Sequence, residues 1–379
     1  MLAPIALAAT PFIPLNDDEV IEVLPSIARN RPVAVPIAKE QIDPLRAADI
    51  ARQAITLARS TGDNRYWGRA QSVLAPWWDH PNAPVDLAVL QATVQQGRHE
   101  FAASRKVLVA ALTRQPGHAQ GWLNLAALER LSSNYGQSLA ACQEVARAGQ
   151  AFYSQACVLE TQSLLGQHSL AHRTLEQQAA QASSTEQQSW LLSLLAESLE
   201  RAGQDSRAST AYQRSLSAQP DLYTAIAFSD LLLRTGMPSA ALNALKNYPD
   251  TDAVVLRRAI SLRATGDERW QQLYGSLQQR VLDLKRRGDD ITLHGRELAM
   301  SALWLEDDPK SALVLARQNL LLQREPVDWL VAVMAAQKAN DPQALADLVA
   351  QVGNTGLKDQ RLDAAARQKS QHFPARKQP

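Results

Sequence analysis

Residues 189–221 read SWLLSLLAESLERAGQDSRASTAYQRSLSAQPD. Counted from Ser189 as position 1, Leu192, Leu195, Ala196 and Leu199 take positions 4, 7, 8 and 11. That spacing places them on one face of a helix. Gly203 at position 15 marks a turn. A second helix then carries Ala208, Tyr212 and Ser215 at positions 20, 24 and 27, and Pro220 at position 32 stops it. The small residues at 8 and 20 stand where the two helices of an antiparallel pair cross closely. The larger residues at 4, 7, 11 and 24 fill the space around that crossing.

The pattern repeats. From Ala119, Trp122, Leu125 and Ala126 fall at positions 4, 7 and 8, Tyr135 at 17, Ser138 at 20 and Cys142 at 24. Pro116 is then position 32 of a preceding copy that begins at Val85. This spacing resembles the tetratricopeptide repeat (TPR), a 34-residue helical hairpin. Weaker copies fit at 152–188 (Gly166, Ala171, Leu175) and 222–251 (Phe228, Ser229, Gly236, Ala241, Leu245). Another begins at 252 (Ala259, Leu262, Gly266), with a second helix running on to a turn at Arg287, Gly288 and Asp289. Further copies fit at 293–325 (Ala299, Leu303, Ala312, Ala316) and 326–350 (Trp329, Ala332, Asn340, Leu345). The resemblance covers roughly residues 45–350. A hairpin of this kind cannot bury its apolar face alone, so stacking is required. The expected fold is all-α: a TPR-like right-handed superhelix of about eight to nine antiparallel helix pairs.

Four segments follow. Residues 1–44 form a Pro-rich extension with seven prolines, and a short helix is expected at 18–27. Residues 45–84 read as a degenerate hairpin, 85–350 as the repeat array, and 351–379 as a capping helix with a loose tail. The stretch 1–9 ends in small residues of the form found at an export-signal cleavage site, without the basic leader such a signal carries. The readings are the end of an export signal, placing the chain in a bacterial envelope or periplasm, or a cytoplasmic N-terminus broken by prolines.

Composition supports the helical reading: there are only 16 glycines in 379 residues. Lys+Arg 39 against Asp+Glu 38 gives a net charge of +1, which provides no field for nucleic acid. No apolar run reaches the ~20 residues of a transmembrane helix. Two cysteines are too few for a disulfide scaffold.

Motifs for chemistry are absent. There is no Walker A loop, no G-x-G-x-x-G, no H-E-x-x-H and no G-x-S-x-G elbow. With the repeats taking nearly the whole chain, no catalytic domain and no cofactor are expected. One face, His168, His172 and Glu176 at i, i+4 and i+8, has the spacing of metal ligands. Three ligands on one straight helix give poor tetrahedral geometry, so a solvated surface is the simpler reading and metal-assisted hydrolysis an outsider. Cys142 and Cys157 fall on neighbouring helices, as a disulfide or as two buried thiols. Trp77 and Trp78 read as an aromatic seal at the end of the stack. Asp289 and Asp290 read as N-caps of a helix near Ile291.

In a TPR array, the resemblance implies, first-helix positions 2, 5, 9, 12 and 13 line the concave face. Read off, they give Gln120 and Arg130, then Glu197, Glu200 and Arg201, then Tyr223, Asp230 and Arg234. Arg263 follows, and last come His294, Glu297 and Trp304. The mixture of both charge signs with aromatics suits an extended peptide or protein segment. No Lys/Arg ladder runs along it. The function the resemblance implies is a non-catalytic protein-interaction scaffold. The alternative is an accessory or regulatory subunit of an envelope enzyme or transporter.

Overall fold

The computed structural model describes residues 43–367. The export-signal reading of 1–9, the helix at 18–27 and the tail at 368–379 lie outside the described residues. Within them the chain forms nineteen α-helices and no strand. The first hairpin is α1 (Pro44–Thr61) and α2 (Arg65–Leu74). Then come α3 (Val85–Gly97) with α4 (Phe101–Arg114), α5 (Ala119–Leu131) with α6 (Tyr135–Arg147), and α7 (Ala151–Leu164) with α8 (His168–Ala180). The middle of the array holds α9 (Thr185–Arg201) with α10 (Asp205–Ala218), α11 (Leu222–Arg234) with α12 (Pro238–Leu245), and α13 (Asp252–Thr265) with α14 (Arg269–Arg286). It ends with α15 (Gly295–Trp304) and α16 (Pro309–Leu322), α17 (Pro326–Lys338) and α18 (Pro342–Thr355), and a last helix α19 (Gln360–Arg367).

Each odd-numbered helix up to α17 packs on its even partner and on the next odd helix, so the odd helices form the inner layer of a TPR-like superhelix. The crossing residues behave as the spacing requires: Ala126, Ser138, Ala196 and Ala208 are all at 0% exposure. Their neighbours Leu192, Leu195, Leu199 and Tyr212 fill the core around one crossing. Five helices, α1, α12, α16, α17 and α18, begin at a proline, whose fixed φ suits the first helical turn and whose missing N–H is an orphan there anyway. The turns inside hairpins need a left-handed residue. Gly166, Gly203, Gly236 and Gly266 supply it in four of them, and His99, Ser133, Asp307 and Asn340 supply it at equivalent places elsewhere. Asp290 caps a 3-10 turn, Ile291–His294, rather than the helix itself, which starts at Gly295. Trp77 and Trp78 pack against the first hairpin's core, on the structural side of their reading.

The superhelix is wound tightly enough that its second turn rests on its first. Hairpin one meets hairpin six through α1 and α11. There Gly62, at φ 64, lies so close to Thr251 that a Cβ would collide with its methyl group. The loop after α16 reaches hairpin three: Arg324 N donates to Leu131 O at 2.7 Å, and Ser133 Oγ donates to Arg324 O at 3.1 Å. Lys358 N donates to Leu164 O at 2.8 Å. Arg361 of α19 pairs with Glu200 of α9 at 3.0 Å. Described residues 360–367 therefore do more than cover the last repeat, since α19 joins the two turns.

Candidate functional site

Residues from both turns of the superhelix line a half-open cavity of about 390 Å³ on its inner side. That volume lies within the ~300–1,000 Å³ range of small-ligand sites. Its walls come from hairpins far apart in the chain. Arg59 of α1 and Trp67 of α2 face Arg130 of α5, Glu160 of α7, Glu197 and Arg201 of α9, and Tyr223 of α11. Arg296 of α15 and Glu325, just before α17, complete it.

Most of these charges are matched. Arg130 pairs with Glu160 at 2.8 Å. Arg296 holds Asp328 bidentately, at 2.6 and 2.9 Å, and also pairs with Glu325, both at the start of α17. Arg201 is only 3% exposed. One of its Nη atoms donates to Ser163 Oγ at 2.6 Å, and the other lies 3.5 Å from Glu197. Its Nε makes no hydrogen bond. Nor does Nδ1 of His99, a residue that also lines the cavity. Arg59 has no carboxylate partner among the described residues, and the crowding of its guanidinium lowers its pKa. Burial pushes the Glu197 carboxyl up to about 7, with Glu160 and Glu325 adding to the shift and Arg201 opposing it. The charge of Glu197, with burial, holds the Tyr223 hydroxyl well above its usual range. Tyr223 nonetheless remains 58% exposed, a large aromatic surface facing solvent inside the superhelix.

Of the groove residues read from the repeats, Arg130, Glu197, Arg201 and Tyr223 line this cavity. The others are placed differently. Glu200 is buried and bonded to Tyr212, Arg234 and Arg361. Asp230 holds Arg257 of the next inner helix bidentately, both bonds at 2.7 Å. Arg234 bridges Asp205 and Glu200. Arg263 lies over the Trp270 ring, 5.2 Å from its centroid, and pairs with Asp307. Trp304 offers its carbonyl to Arg263 and packs partly into the core. His294 and Glu297 act electrostatically on His99 across the gap between turns. Gln120 donates to Asn124 on its own helix. Glu200, Asp230, Arg234 and Arg263 thus pair with residues of other helices, and Gln120 pairs within its own.

Sequence reasoning missed Arg59, Trp67, His99 and Glu160. Glu160 was within reach, since it is position 9 of the copy at 152–188. Arg59 had no local signal, because only winding brings it to the cavity.

The histidine face does not converge. His168 and His172 stack with ring centroids 6.0 Å apart, and Glu176 pairs with Arg214 at 2.7 Å. Burial, with Arg201 and His172, lowers His168 to about 4. No cluster of three metal-ligating side chains occurs among the described residues. Cys142 on α6 and Cys157 on α7 are bridged, with Cα atoms 5.6 Å apart, inside the range a disulfide needs. Among the described residues no helix is long and apolar enough to cross a membrane.

No protein-family model matches the chain. No curated protein matches it. Among solved structures it is similar to a Rap protein complexed with competence and sporulation factor, with a TM-score of 0.53 and 9% identity. That alignment covers 84% of this chain and 87% of the Rap chain, and at this identity it is a likeness of fold. The TPR domain of P58(IPK) aligns over 85% of this chain and 96% of its own at 12% identity, but with a TM-score of 0.26.

Proposed function

We propose that this superhelix of tetratricopeptide type is a non-catalytic interaction scaffold that holds an extended peptide or protein segment in its inner cavity. The observation that carries the reading is a pair of cavity-lining residues whose buried nitrogens have no hydrogen-bond partner. Arg201 Nε and His99 Nδ1 are buried and make no hydrogen bond, while Arg59, an exposed side chain on the same wall, has no carboxylate partner among the described residues. A buried donor without an acceptor costs ~1–3 kcal/mol, so a segment supplying carbonyl or carboxylate oxygens recovers that loss on binding. Tyr223 offers beside them the kind of exposed aromatic surface that anchors interfaces. Arg130 with Glu160, and Arg296 with Glu325 and Asp328, are occupied in joining helices, which supports binding over chemistry. The Cys142–Cys157 bridge fits an oxidising compartment, in line with the export reading of 1–9.

The test is selection of a displayed random peptide library on the purified chain, followed by affinities of the selected peptides for wild type and Tyr223→Ala. Loss of an interface anchor should cost ~1–3 kcal/mol of binding. Undiminished binding to the variant, or failure of the chain to enrich any peptide, would count against the cavity as the site.

A further inference from the structure

We propose that α14 carries a docking surface for residues 15–24 of this same chain, which lie outside the described residues. The helix is eighteen residues long and none of them is buried. Elsewhere the outer helix of a hairpin is covered on its far side by the next inner helix, as α12 is by α13 and α16 by α17. Among the described residues α14 has no comparable packing on α15, and the 3-10 turn Ile291–His294 meets it instead. Trp270, Leu273, Leu277, Val281 and Leu284 follow one another at three- and four-residue steps, which sets them in one stripe. The first three pack against the core of the later hairpins. Val281 and Leu284 are half-buried and belong to none of the core clusters, and the neighbouring Leu282 is 47% exposed. Arg280 stands one turn before Leu284 and Lys285 one turn after Val281, so cations border this end of the stripe on both sides. Arg280 is fixed there by Asp252 and the Asp250 carbonyl, at 2.6 and 3.0 Å. The acid of this end, Asp283, is met by Gln279 and Arg286 on the other side of the helix.

Charge and reach select the occupant. Residues 15–24 read LNDDEVIEVL, where Val20, Ile21 and Leu24 share one helical face and Asp18, Glu19 and Glu22 lie outside it. An apolar face edged with acids complements an apolar stripe edged with cations. The C-terminal stretch 368–379 carries Lys369, Arg376 and Lys377 and no acid, so it has the wrong sign. Asp43 caps the start of α1, and Gly62 at its other end rests on Thr251, between the Asp250 and Asp252 that hold Arg280. The span from Asp43 to α14 is therefore close to the length of α1, ~27 Å for eighteen residues. Residues 25–42 extend up to ~60 Å, so they bridge it with slack. A segment tethered in this way meets its surface at an effective concentration of ~1 mM, at which even a weak contact is held. Once docked, it ties hairpin one to hairpin seven from outside, beside the contact of Gly62 with Thr251.

The test is crosslinking in the full chain with a short bismaleimide, which joins two free thiols and leaves the bonded Cys142 and Cys157 untouched. One variant combines Val23→Cys with Leu282→Cys. The control combines Val23→Cys with Val314→Cys, a 57% exposed position on the outer helix α16. The 23–282 pair should crosslink within one chain ~10-fold faster than the 23–314 pair. Adding Glu19→Lys and Glu22→Lys should slow the 23–282 reaction ~10-fold. Hydrogen exchange, which needs no introduced cysteine, gives a second readout. In the otherwise wild-type chain the same charge reversal should speed exchange of residues 281–286 ~10-fold and leave α13 unchanged. Equal rates for the two cysteine pairs overturn the proposal, as does a rate indifferent to the charge reversal. Crosslinks formed only between two chains also overturn it, because they assign the surface to a second copy.

Discussion

The inner helices of this superhelix carry two sets of charged side chains of the same types, set apart by what each set touches. On α9 to α13, Glu200, Asp230 and Arg234 meet Arg361, Arg257 and Asp205, so each charge is met by one from another helix. Around the cavity, Arg59 and Tyr223 are exposed and the Nε of Arg201 has no protein partner. Repeat position does not separate the sets, since Glu197 and Glu200 are one helical turn apart. Contact separates them. Where another helix supplies a counter-charge, inner charges become struts, and where none does they remain available to a ligand.

The strongest way to break this contrast is to remove a strut. Asp230→Ala leaves Arg257, at 2% exposure, without its counter-charge. An uncompensated buried charge costs ~3–5 kcal/mol, which chemical denaturation would register as a large fall in midpoint. A loss under ~1 kcal/mol would move Asp230 to the ligand-facing set. Next in size is the bridge between α6 and α7. Arg130, on the cavity wall, has an Nη atom 3.6 Å from Cys157 Sγ. Reduction frees a sequence separation of 15 residues, which corresponds to about 3 kcal/mol in the chain-entropy account. Thermal melts with and without reductant measure it, and identical melts would show that the two cysteines are not bonded.

A smaller effect sharpens the cavity side. Glu197 has its pKa raised in the folded state, from 4.5 to about 7. The folded chain then holds a proton that the unfolded chain has released, so the charge penalty is absent below pH 4.5 and complete above about 7. Glu197→Gln should leave stability unchanged at pH 4 and raise it by ~1–3 kcal/mol at pH 8. A loss at pH 8 would make Glu197 a strut like Glu200. The smallest expected effect belongs to Arg59→Ala, which should move stability by no more than ~0.5 kcal/mol, because no protein partner is lost.

The hairpins were legible because their determinants are local. The 8 and 20 positions must be small, the turn must accept a left-handed residue, and both demands are visible within one copy, as at Ala196, Gly203 and Ala208. The site was legible only in part. Arg130, Glu197, Arg201 and Tyr223 could be read from inner-face register, as could Glu160 had position 9 been followed into the weaker copy at 152–188. Arg59 and His99 could not, because they reach the cavity through contacts such as Gly62 against Thr251 and Arg324 on Leu131. Those contacts depend on the superhelical rise summed over several hairpins, which no single repeat encodes.

The most direct test of the inner cavity as the binding site compares two positions of a photo-reactive benzoylphenylalanine, one at Tyr223 inside the superhelix and one at Leu321, 83% exposed on the second helix of its hairpin. With a library-selected peptide, irradiation should crosslink the chain labelled at 223 and leave the chain labelled at 321 free. Crosslinking at 321 without crosslinking at 223 would place the partner outside the cavity and contradict the account.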